Sequence, residues 1–273
     1  MKRQKPYFED YWDRRATQFG GKSKGYPAIC SYGMPDFYNN HINRLQQHLL
    51  LENLKVRSGM KVLDAGCGVG RWTVAMALKG AQVTAADISQ EMIALARERT
   101  RYWGVEDRVE FLHSPLNLLR LSDDYDLVVV VTVLQHIPDL EIWEQSVLKL
   151  WGAVKEGGRF AILEVAPTNK SWVKIPSREH FHPHLRDEYV DLLEKSGGAL
   201  ALEKGMDFLN FKYRLLGWDK KGSIKRAVFC LATLLSEPVD RILAPSSWGT
   251  IRSWHRLMVF QKRANERKSC MLK

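Results

Sequence analysis

The segment LVVVVTVL, Leu127–Leu134, restricts the fold more than any other part of the sequence. A short run that is apolar at nearly every position is typical of a β-strand covered on both faces. Other short apolar runs alternate with segments of helical spacing, which is the order of a parallel sheet with helices on both sides. The sequence therefore predicts a Rossmann-like, doubly wound α/β fold with Leu127–Leu134 in its central strand.

The predicted elements can be given in chain order. The core strands are Lys61–Asp64, Gln82–Asp87, Val109–His113, Tyr125–Thr132 and Arg159–Val165, and the core helices are Arg71–Lys79, Gln90–Trp103 and Glu141–Val154. Helices Pro6–Phe19 and Asp36–Leu54 precede them, and a helix Leu185–Ser196 and strands Ala199–Glu203 and Leu257–Gln261 follow. A further helix is predicted over Ser223–Leu243, interrupted near Pro238 because proline removes a helical hydrogen bond.

These elements divide the chain into four parts. They are an N-terminal helical lid (1–54), the ligand-binding core (55–206), a helical insertion (207–254), and the last strand with a basic tail (255–273). The insertion is assigned helical structure because about fifty residues are too many for a plain hairpin loop. The segment GGKSKGYPAICSYGMPD, Gly20–Asp36, is a Gly/Pro-punctuated loop within the lid.

A glycine-rich turn, VLDAGCGVGRWT (Val62–Thr73), joins the first core strand to the first core helix. Glycines let a ligand approach backbone N–H groups closely, and this turn falls at the edge of the sheet where such folds bind ligands. The spacing differs from the GxGxxG pattern of dinucleotide sites, and the sequence has no GxxxxGK[ST] phosphate loop. The turn therefore predicts a site for another ligand.

DAGCGVG (Asp64–Gly70), VTAADIS (Val83–Ser89) and YDLVVVVTVLQHIPD (Tyr125–Asp139) together resemble the class I S-adenosylmethionine-dependent methyltransferases. The resemblance covers roughly Asp36 to Val165. It implies a seven-stranded sheet, mostly parallel with an antiparallel strand near the C-terminus. It also implies S-adenosylmethionine as the cofactor and S-adenosylhomocysteine as the product.

The resemblance assigns the cofactor to eight positions: Asp64, Gly66, Gly68, Asp87, Ile88, Met92, Ser114 and Thr132. The glycine turn would wrap the methionine and ribose portion, and Asp87 would accept hydrogen bonds from both ribose hydroxyls, as a carboxylate can. Ile88 and Met92 would flank the adenine, and Thr132 would present backbone to the amino-acid end. Many relatives carry an acid after the third strand, where this chain has Ser114, which can still accept a hydrogen bond.

Two residues are candidates for catalysis, His136 and Glu164. Methyl transfer is an in-line displacement that needs a positioned, unprotonated acceptor, so a base is required only for an alcohol, phenol or ammonium. His136 follows the central strand and titrates near neutrality, which makes it a candidate base. Alternatively, His136 only packs or hydrogen-bonds within its loop. Glu164 would orient a hydroxyl or amine, or it would pair with a neighbouring cation.

Three histidines in SREHFHPHL, namely His180, His182 and His184, alternate along an extended segment. They would bind a metal, steer an acidic acceptor or lie in a solvated loop. Because no cysteine or carboxylate completes a coordination pattern, the sequence predicts no metal. The four cysteines are too far apart to form a disulfide framework or a zinc site: Cys30, Cys67, Cys230 and Cys270.

Aromatic residues are concentrated near the N-terminus: Tyr7, Phe8, Tyr11, Trp12, Tyr26 and Tyr32. They would close over the cofactor, build an acceptor pocket or pack in the core, as aromatic residues in helices commonly do. Tyr11 and Tyr26 are the first candidates for mutation.

The net charge of +10 lies in the C-terminal part of the chain, since residues 212–273 hold 14 Lys/Arg against four Asp/Glu. This part would meet phosphates, anionic lipid or an acidic substrate, or it would form a solvated surface. Within it, four apolar residues form a helical stripe: Ile224, Val228, Leu231 and Leu235. Lys221, Lys225 and Arg226 lie beside the stripe. The stripe would touch a membrane or a lipid-linked acceptor, or it would pack on the sheet.

The sequence distinguishes among several possible acceptors of the methyl group. Nucleic acid is disfavoured, because TVLQ stands where base-methylating enzymes carry (D/N)PP(Y/F) and no cysteine follows Pro or Thr. A protein N-terminal amine is an alternative, and so is a catalytically silent protein that binds the cofactor. The favoured acceptor is a small molecule methylated on oxygen or nitrogen.

Two further expectations concern location and assembly. The sequence has no apolar run of bilayer length and no secretory signal at its start, which predicts a cytoplasmic enzyme. It leaves the oligomeric state open.

Overall fold

The computed structural model describes residues 7–19, 21, 25–30, 34–169, 180–209, 215 and 220–263. The strands are β1 (Lys61–Ala65), β2 (Gln82–Asp87), β3 (Val109–His113), β4 (Tyr125–Val131), β5 (Val154–Val165), β6 (Gly198–Gly205) and β7 (His255–Lys262). The helices are α1 (Tyr7–Phe19), α2 (Tyr26–Ile29), α3 (Asp36–Leu54), α4 (Arg71–Ala77), α5 (Gln90–Tyr102), α6 (Leu140–Ala153), α7 (Arg186–Lys195), α8 (Ser223–Leu243) and α9 (Ser247–Arg252).

The seven strands form one sheet in the order β3-β2-β1-β4-β5-β7-β6. The first five strands pair in parallel, and β7 runs antiparallel to both β5 and β6. The predicted fold class is confirmed, including the antiparallel strand near the C-terminus. Because β1 to β5 run in the same direction, their carboxyl ends meet at one edge of the sheet, where ligands bind in folds of this kind.

Strand β4 lies between β1 and β5 and is buried on both faces, as its apolar run predicts. Leu127, Val129 and Val131 face one core, which α3 closes. Val128 and Val130 face the other core, which contains residues of α6 and α7. Side chains of a strand alternate between its faces, so β4 contributes to both cores.

The predicted interruption near Pro238 is wrong, because α8 continues through that residue, and β5 begins five residues before its predicted start at Arg159. A proline removes the hydrogen bond to the carbonyl four residues earlier, which here belongs to Leu234. Both residues are exposed, so water can hydrate that carbonyl.

None of the helices in the described ranges combines the length and apolarity needed to cross a bilayer. The four-part division of the chain stays a prediction.

Candidate functional site

A cavity with about 670 Å³ of empty space opens at the carboxyl edge of the sheet, beside the turn that joins β1 to α4. The described residues that border it come from the turn, the ends of β2 and β4, and the N-terminal helices. They are Trp12, Ile29, Gly66, Cys67, Gly68, Arg71, Trp72, Asp87, Ile88, Met92, Leu116, Val131, Thr132 and Val133.

Gly66 and Gly68 bring backbone directly to the cavity wall. Their φ angles are +77° and +51°, in the left-handed region that side chains rarely adopt. A Cβ at Gly66 would overlap the Val133 side chain, and a Cβ at Gly68 would lie 2.8 Å from Cγ2 of Ile29. The turn therefore needs glycine both for its backbone conformation and for the side chains packed against it.

Asp87 ends β2 and borders the cavity with only 8% of its surface exposed. Its Oδ2 accepts a hydrogen bond from the Gly68 amide (2.8 Å), and its Oδ1 accepts one from the Ser89 amide (2.9 Å). Burial raises the pKa of this carboxyl to about 6, although both amides oppose the shift. The side chain thus links the glycine turn to the start of α5 and leaves a carboxylate at the cavity.

Asp64 does not border the cavity. Its Oδ2 accepts a hydrogen bond of 2.6 Å from the Thr73 hydroxyl, which ties the end of β1 to the first turn of α4. Burial raises its pKa to about 6. Asp64 was predicted to contact the ligand, but it instead supports the glycine turn from outside the cavity wall.

The remaining predicted binding positions fall into two groups. Ile88, Met92 and Thr132 border the cavity, and the backbone of Thr132 has a φ of +54° while its amide donates to the Leu163 carbonyl (2.8 Å). Ser114 does not border it, and its hydroxyl donates to the Pro115 carbonyl (3.1 Å). Leu116, two residues further on, occupies that side of the cavity.

Arg71 and Trp72, at the start of α4, were not predicted as site residues but form part of the wall. Arg71 Nη1 donates to the side-chain oxygens of Asn43 (2.9 Å) and Gln46 (2.8 Å) on α3. Arg71 Nε and Trp72 Nε1 are buried, and neither has a hydrogen-bond partner among the described residues. Buried N–H groups are normally paired, so these two donors beside the cavity stand out as unsatisfied.

The N-terminal helices contribute Trp12 from α1 and Ile29 from α2 to the wall. Helix α1 is fixed to the core where Asp13 Oδ1 accepts a hydrogen bond of 2.6 Å from the Ser89 hydroxyl. Tyr11 and Tyr26, the aromatic residues favoured from the sequence, do not border the cavity. Tyr11 packs against the ring of His180 instead, with ring centroids 3.8 Å apart.

Two of the predicted aromatic side chains lie outside the described part of the structure. The structure does not describe Tyr32 or the side chain of Tyr7.

His136 lies behind Trp12, with ring centroids 5.0 Å apart, and does not itself border the cavity. Its Nδ1 makes a hydrogen bond with the His180 carbonyl, so Nδ1 carries the proton when the ring is neutral. Nε2 then holds the lone pair and lies 3.4 Å from Nε2 of Gln135. Burial lowers the pKa of His136 to about 4, so the ring is unprotonated at neutral pH.

Glu164 is fully buried at the end of β5 and contacts the loop that contains His136 rather than the cavity. Its Oε1 accepts hydrogen bonds from the amides of Val133 (2.7 Å) and Leu134 (2.9 Å), and its Oε2 accepts one from Gln135 (3.4 Å). Burial raises its pKa to about 7. These contacts give Glu164 a positioning role instead of the predicted contact with an acceptor or a cation.

The three histidines of the predicted cluster point to different surroundings. His180 packs against Tyr11, and the His182 amide donates to the Gln135 carbonyl (2.7 Å). His184 is buried, stacked on Trp143 with ring centroids 4.2 Å apart. The expectation of a solvated loop is wrong for His184, because its ring fills an aromatic gap beside α6. Across the described ranges, no three His, Cys, Asp or Glu side chains are grouped to hold a metal.

Known proteins are similar to the centre of the chain. Residues 62–158 match the family model described as a methyltransferase domain. The chain is 37% identical over 118 residues to Methyltransferase GfsG of Streptomyces halstedii, covering 42% of this chain and 41% of that protein. It is 37% identical over 102 residues to the ubiquinone biosynthesis O-methyltransferase of Azotobacter vinelandii, covering 37% and 43%. The chain thus spans less than half the length of these curated relatives.

Solved structures share the fold over most of the chain. The magnesium protoporphyrin IX methyltransferase of Synechocystis PCC 6803, with S-adenosylhomocysteine bound, has a TM-score of 0.60 at 19% identity, covering 93% of this chain and 98% of that one. The [4+2]-cyclase SpnF has a TM-score of 0.57 at 16% identity, covering 82% and 81%. At such identities the likeness concerns the fold alone, and the fold carries more than one chemistry.

Proposed function

We propose that this chain, which contains a class I S-adenosylmethionine-dependent methyltransferase domain, transfers the methyl group of the cofactor to an oxygen or nitrogen atom of a small-molecule acceptor. The observation that carries the proposal is the polarity of the cavity wall. Asp87 brings a carboxylate to one part of the wall, and another part is bordered by Arg71 and Trp72, whose buried Nε and Nε1 have no partner among the described residues. The cofactor has the matching groups, since its ribose hydroxyls donate and its carboxylate accepts hydrogen bonds.

The residues of the cavity therefore fit the cofactor. Asp87 would accept from the ribose hydroxyls, and Arg71 and Trp72 would donate to the carboxylate. Ile88 and Met92 would pack on the adenine, and the backbone at Gly66 and Gly68 would permit the close approach. When bound, the cofactor supplies a methyl group on a cationic sulfur. The protein's own contribution is to hold the acceptor in line with that group and to exclude water.

The names of the relatives support a small-molecule acceptor, because one acts in ubiquinone biosynthesis and a structural neighbour acts on magnesium protoporphyrin IX. The state of His136 narrows the class further. Its pKa of about 4 keeps the ring unprotonated at pH 7 but makes it a weak base. Because so weak a base gives little help in removing a proton, we favour an acceptor that ionises readily near neutral pH, such as an acidic phenol or a carboxylic acid.

Two alternative functions differ in their support. A protein N-terminal amine as acceptor would be helped by an acid after the fifth strand, but the carboxylate of Glu164 there is occupied by the backbone amides of residues 133–135. A silent cofactor-binding protein keeps one observation in its favour, the similar fold of a [4+2]-cyclase. Transfer activity is the property that separates these functions.

A labelling experiment tests the proposal. The chain is incubated with cofactor labelled in its methyl group and with separate panels of phenols, carboxylic acids and short peptides. We expect label in a phenol or a carboxylic acid, and none with Asp87→Ala at a cofactor concentration near the wild-type dissociation constant. Label in the peptide amine would favour the protein acceptor. Tight cofactor binding without label in any panel would favour the silent protein.

We propose that the acceptor reaches His136 past the Trp12 ring, and we expect His136→Ala to lower kcat by about 10²-fold, toward the lower end of the range for a general base because the ring is weakly basic. The dissociation constant for S-adenosylhomocysteine should not change, since His136 does not border the cavity. Steady-state kinetics with the acceptor found by labelling provide the measurement. His48→Ala, on the outer side of α3, is the matched control. An unchanged kcat would remove His136 from the mechanism.

The raised pKa of Asp87 gives cofactor binding a pH dependence. Only the ionised carboxylate accepts from both ribose hydroxyls, so protonation below pH 6 should weaken binding. We expect the affinity for S-adenosylhomocysteine to fall about tenfold between pH 7 and pH 5, as one pH unit below a pKa requires. Isothermal titration calorimetry across this range measures the effect. Asp87→Asn should remove the slope, and a slope that persists in that variant would assign it to another group.

A further inference from the structure

Helix α8 turns its apolar side away from the protein. Ile224, Val228, Leu231, Leu235 and Ile242 lie three, four or seven residues apart and so share one stripe along the helix. Between 44% and 81% of each side chain is exposed. The expectation that this stripe packs on the sheet is therefore wrong. We call these five residues the α8 stripe.

The opposite side of α8 is buried and largely polar. Thr233, Ser236 and Asp240 are almost fully buried there, and Asp240 accepts hydrogen bonds from the amides of Phe208 (2.7 Å) and Leu209 (2.8 Å). Phe229, also on this side, packs between Phe37 and Tyr38 of α3. The helix is thus held on the protein by its polar side, the reverse of an ordinary surface helix.

Ionic contacts fix this orientation. Glu237 accepts hydrogen bonds from Arg44 Nε (2.9 Å to Oε1) and from Arg44 Nη2 (2.6 Å to Oε2), and its Oε2 lies 3.2 Å from Nδ1 of buried His41. Arg44 and His41 hold the pKa of Glu237 down at about 2 against the effect of burial. Rotating α8 to bury its apolar stripe would separate Glu237 from Arg44 and His41. It would also leave the polar side chains of α8 without their hydrogen-bond partners. The exposed stripe is therefore a stable feature of the surface.

Basic residues surround the N-terminal end of the stripe: Lys220, Lys221, Lys225 and Arg226. At the C-terminal end, the following helix α9 exposes Trp248 (59%) and Ile251 (57%), and the Arg252 guanidinium lies 5.2 Å from the Trp248 ring. Apolar side chains, an exposed tryptophan and flanking cations are the features of helices that lie in the headgroup region of a bilayer.

We propose that α8 docks this protein onto an anionic lipid membrane, with the α8 stripe among the acyl chains and the basic end against lipid phosphates. A second copy of the chain would also cover apolar side chains. However, it would bring two surfaces from the most basic part of a +10 chain together, and like charges repel. An anionic bilayer supplies the opposite charge.

Helix α3 connects this surface to the cavity. His41 and Arg44 on α3 hold Glu237 of α8, while Asn43 and Gln46 on the same helix hold Arg71 in the cavity wall. Docking through α8 would thus place the cavity one helix away from the bilayer, where an apolar acceptor is concentrated. Lipid docking itself does not depend on methyl transfer, so the two proposals can fail separately.

Vesicle flotation without cofactor tests the docking proposal. The full chain is mixed with vesicles of phosphatidylcholine alone or of phosphatidylcholine with phosphatidylglycerol, and the floating fraction is measured. We expect flotation with the anionic vesicles. Leu231→Glu/Leu235→Glu should lower the partition coefficient about a hundredfold, since each leucine removed from the acyl region costs about a factor of ten. Leu140→Glu, an equally exposed leucine (61%) on α6, is the matched control and should float like the wild type.

Charge is tested separately with Lys220→Gln/Lys221→Gln/Arg226→Gln. We expect binding to the anionic vesicles to fall by about 10²-fold, because each cation near the surface contributes about a factor of five to its attraction. Thermal unfolding and S-adenosylhomocysteine binding should match the wild type in every variant, which separates lost docking from lost folding.

Three results would overturn the proposal. The first is that the wild-type chain floats with neither kind of vesicle. The second is that Leu231→Glu/Leu235→Glu floats as the wild type does. A concentration-dependent dimer that Leu231→Glu/Leu235→Glu separates, with no flotation, would assign the surface to self-association instead.

Discussion

We expect Asp87→Ala to weaken the binding of S-adenosylhomocysteine by roughly 10²–10³-fold, or about 3–4 kcal/mol, since each hydrogen bond to a buried carboxylate contributes about 1.5–3 kcal/mol. Asp87 is the acidic side chain that borders the cavity, and it lies at the end of β2, where folds of this kind place the acid that binds a ribose. Isothermal titration calorimetry measures the loss.

The control for Asp87 must separate ligand contact from the shape of the turn. Asp87 also accepts hydrogen bonds from the amides of Gly68 and Ser89, so its removal loosens the glycine turn. Glu110→Ala, an exposed carboxylate on the neighbouring strand β3, removes equal charge away from the cavity. Thermal unfolding shows whether Asp87→Ala remains folded. A folded Asp87→Ala protein that binds as tightly as Glu110→Ala would contradict the proposed cofactor site.

The second large effect concerns stability. Replacing Glu164 with alanine should lower the free energy of unfolding by about 3 kcal/mol, because the amides of Val133, Leu134 and Gln135 lose their buried acceptor. The loop that contains His136 would lose its support at the same time. Urea unfolding followed by circular dichroism measures the change, and kcat should fall even where the variant remains folded.

Glu164→Gln is the matched variant, since its amide oxygen can still accept from Val133 and Leu134. We expect most of the stability to return. A glutamine as unstable as the alanine would show that the charge matters, and an alanine as stable as the wild type would show that the loop needs no support from β5.

A comparison of the wild type with Glu164→Gln also tests the raised pKa of Glu164. Its folded pKa of about 7 lies above its ordinary value of 4.5, so the folded state keeps the proton to higher pH than the unfolded state does. The retained proton favours folding below pH 4.5, and this stabilisation is lost as pH rises toward 7. The free energy of unfolding of the wild type, relative to Glu164→Gln, should therefore fall by about 3 kcal/mol across this range. A constant difference would contradict the raised pKa.

Local regularities of the sequence predicted much of the fold. The apolar run within Leu127–Leu134 predicted the central strand, and the helix Asp36–Leu54 and the strand Gln82–Asp87 have the predicted bounds. The glycine turn and Asp87 indicated where the ligand site lies. Such features follow from residues near one another in the chain, whose spacing determines which side of an element is apolar and where a turn must form.

The sequence could not predict contacts between distant residues. It did not predict Arg71 and Trp72 as donors in the cavity wall, and it offered Ser114 where Leu116 borders the cavity. Glu164 was a candidate for acceptor binding, but in the structure its carboxylate accepts hydrogen bonds from the amides of residues 133–135. Each of these outcomes depends on how elements pack, which periodicity does not determine.

By itself, the sequence determined the class of fold, the central strand, the glycine turn and the position of Asp87 at the end of its strand, because these follow from local spacing and from the direction of parallel strands. It also determined that α8 has an apolar stripe. Only the tertiary structure decided that this stripe faces outward. The deciding contacts join Arg44 to Glu237 across 193 positions of the chain, and the buried polar residues on that side of α8 keep their hydrogen-bond partners only while the stripe faces outward.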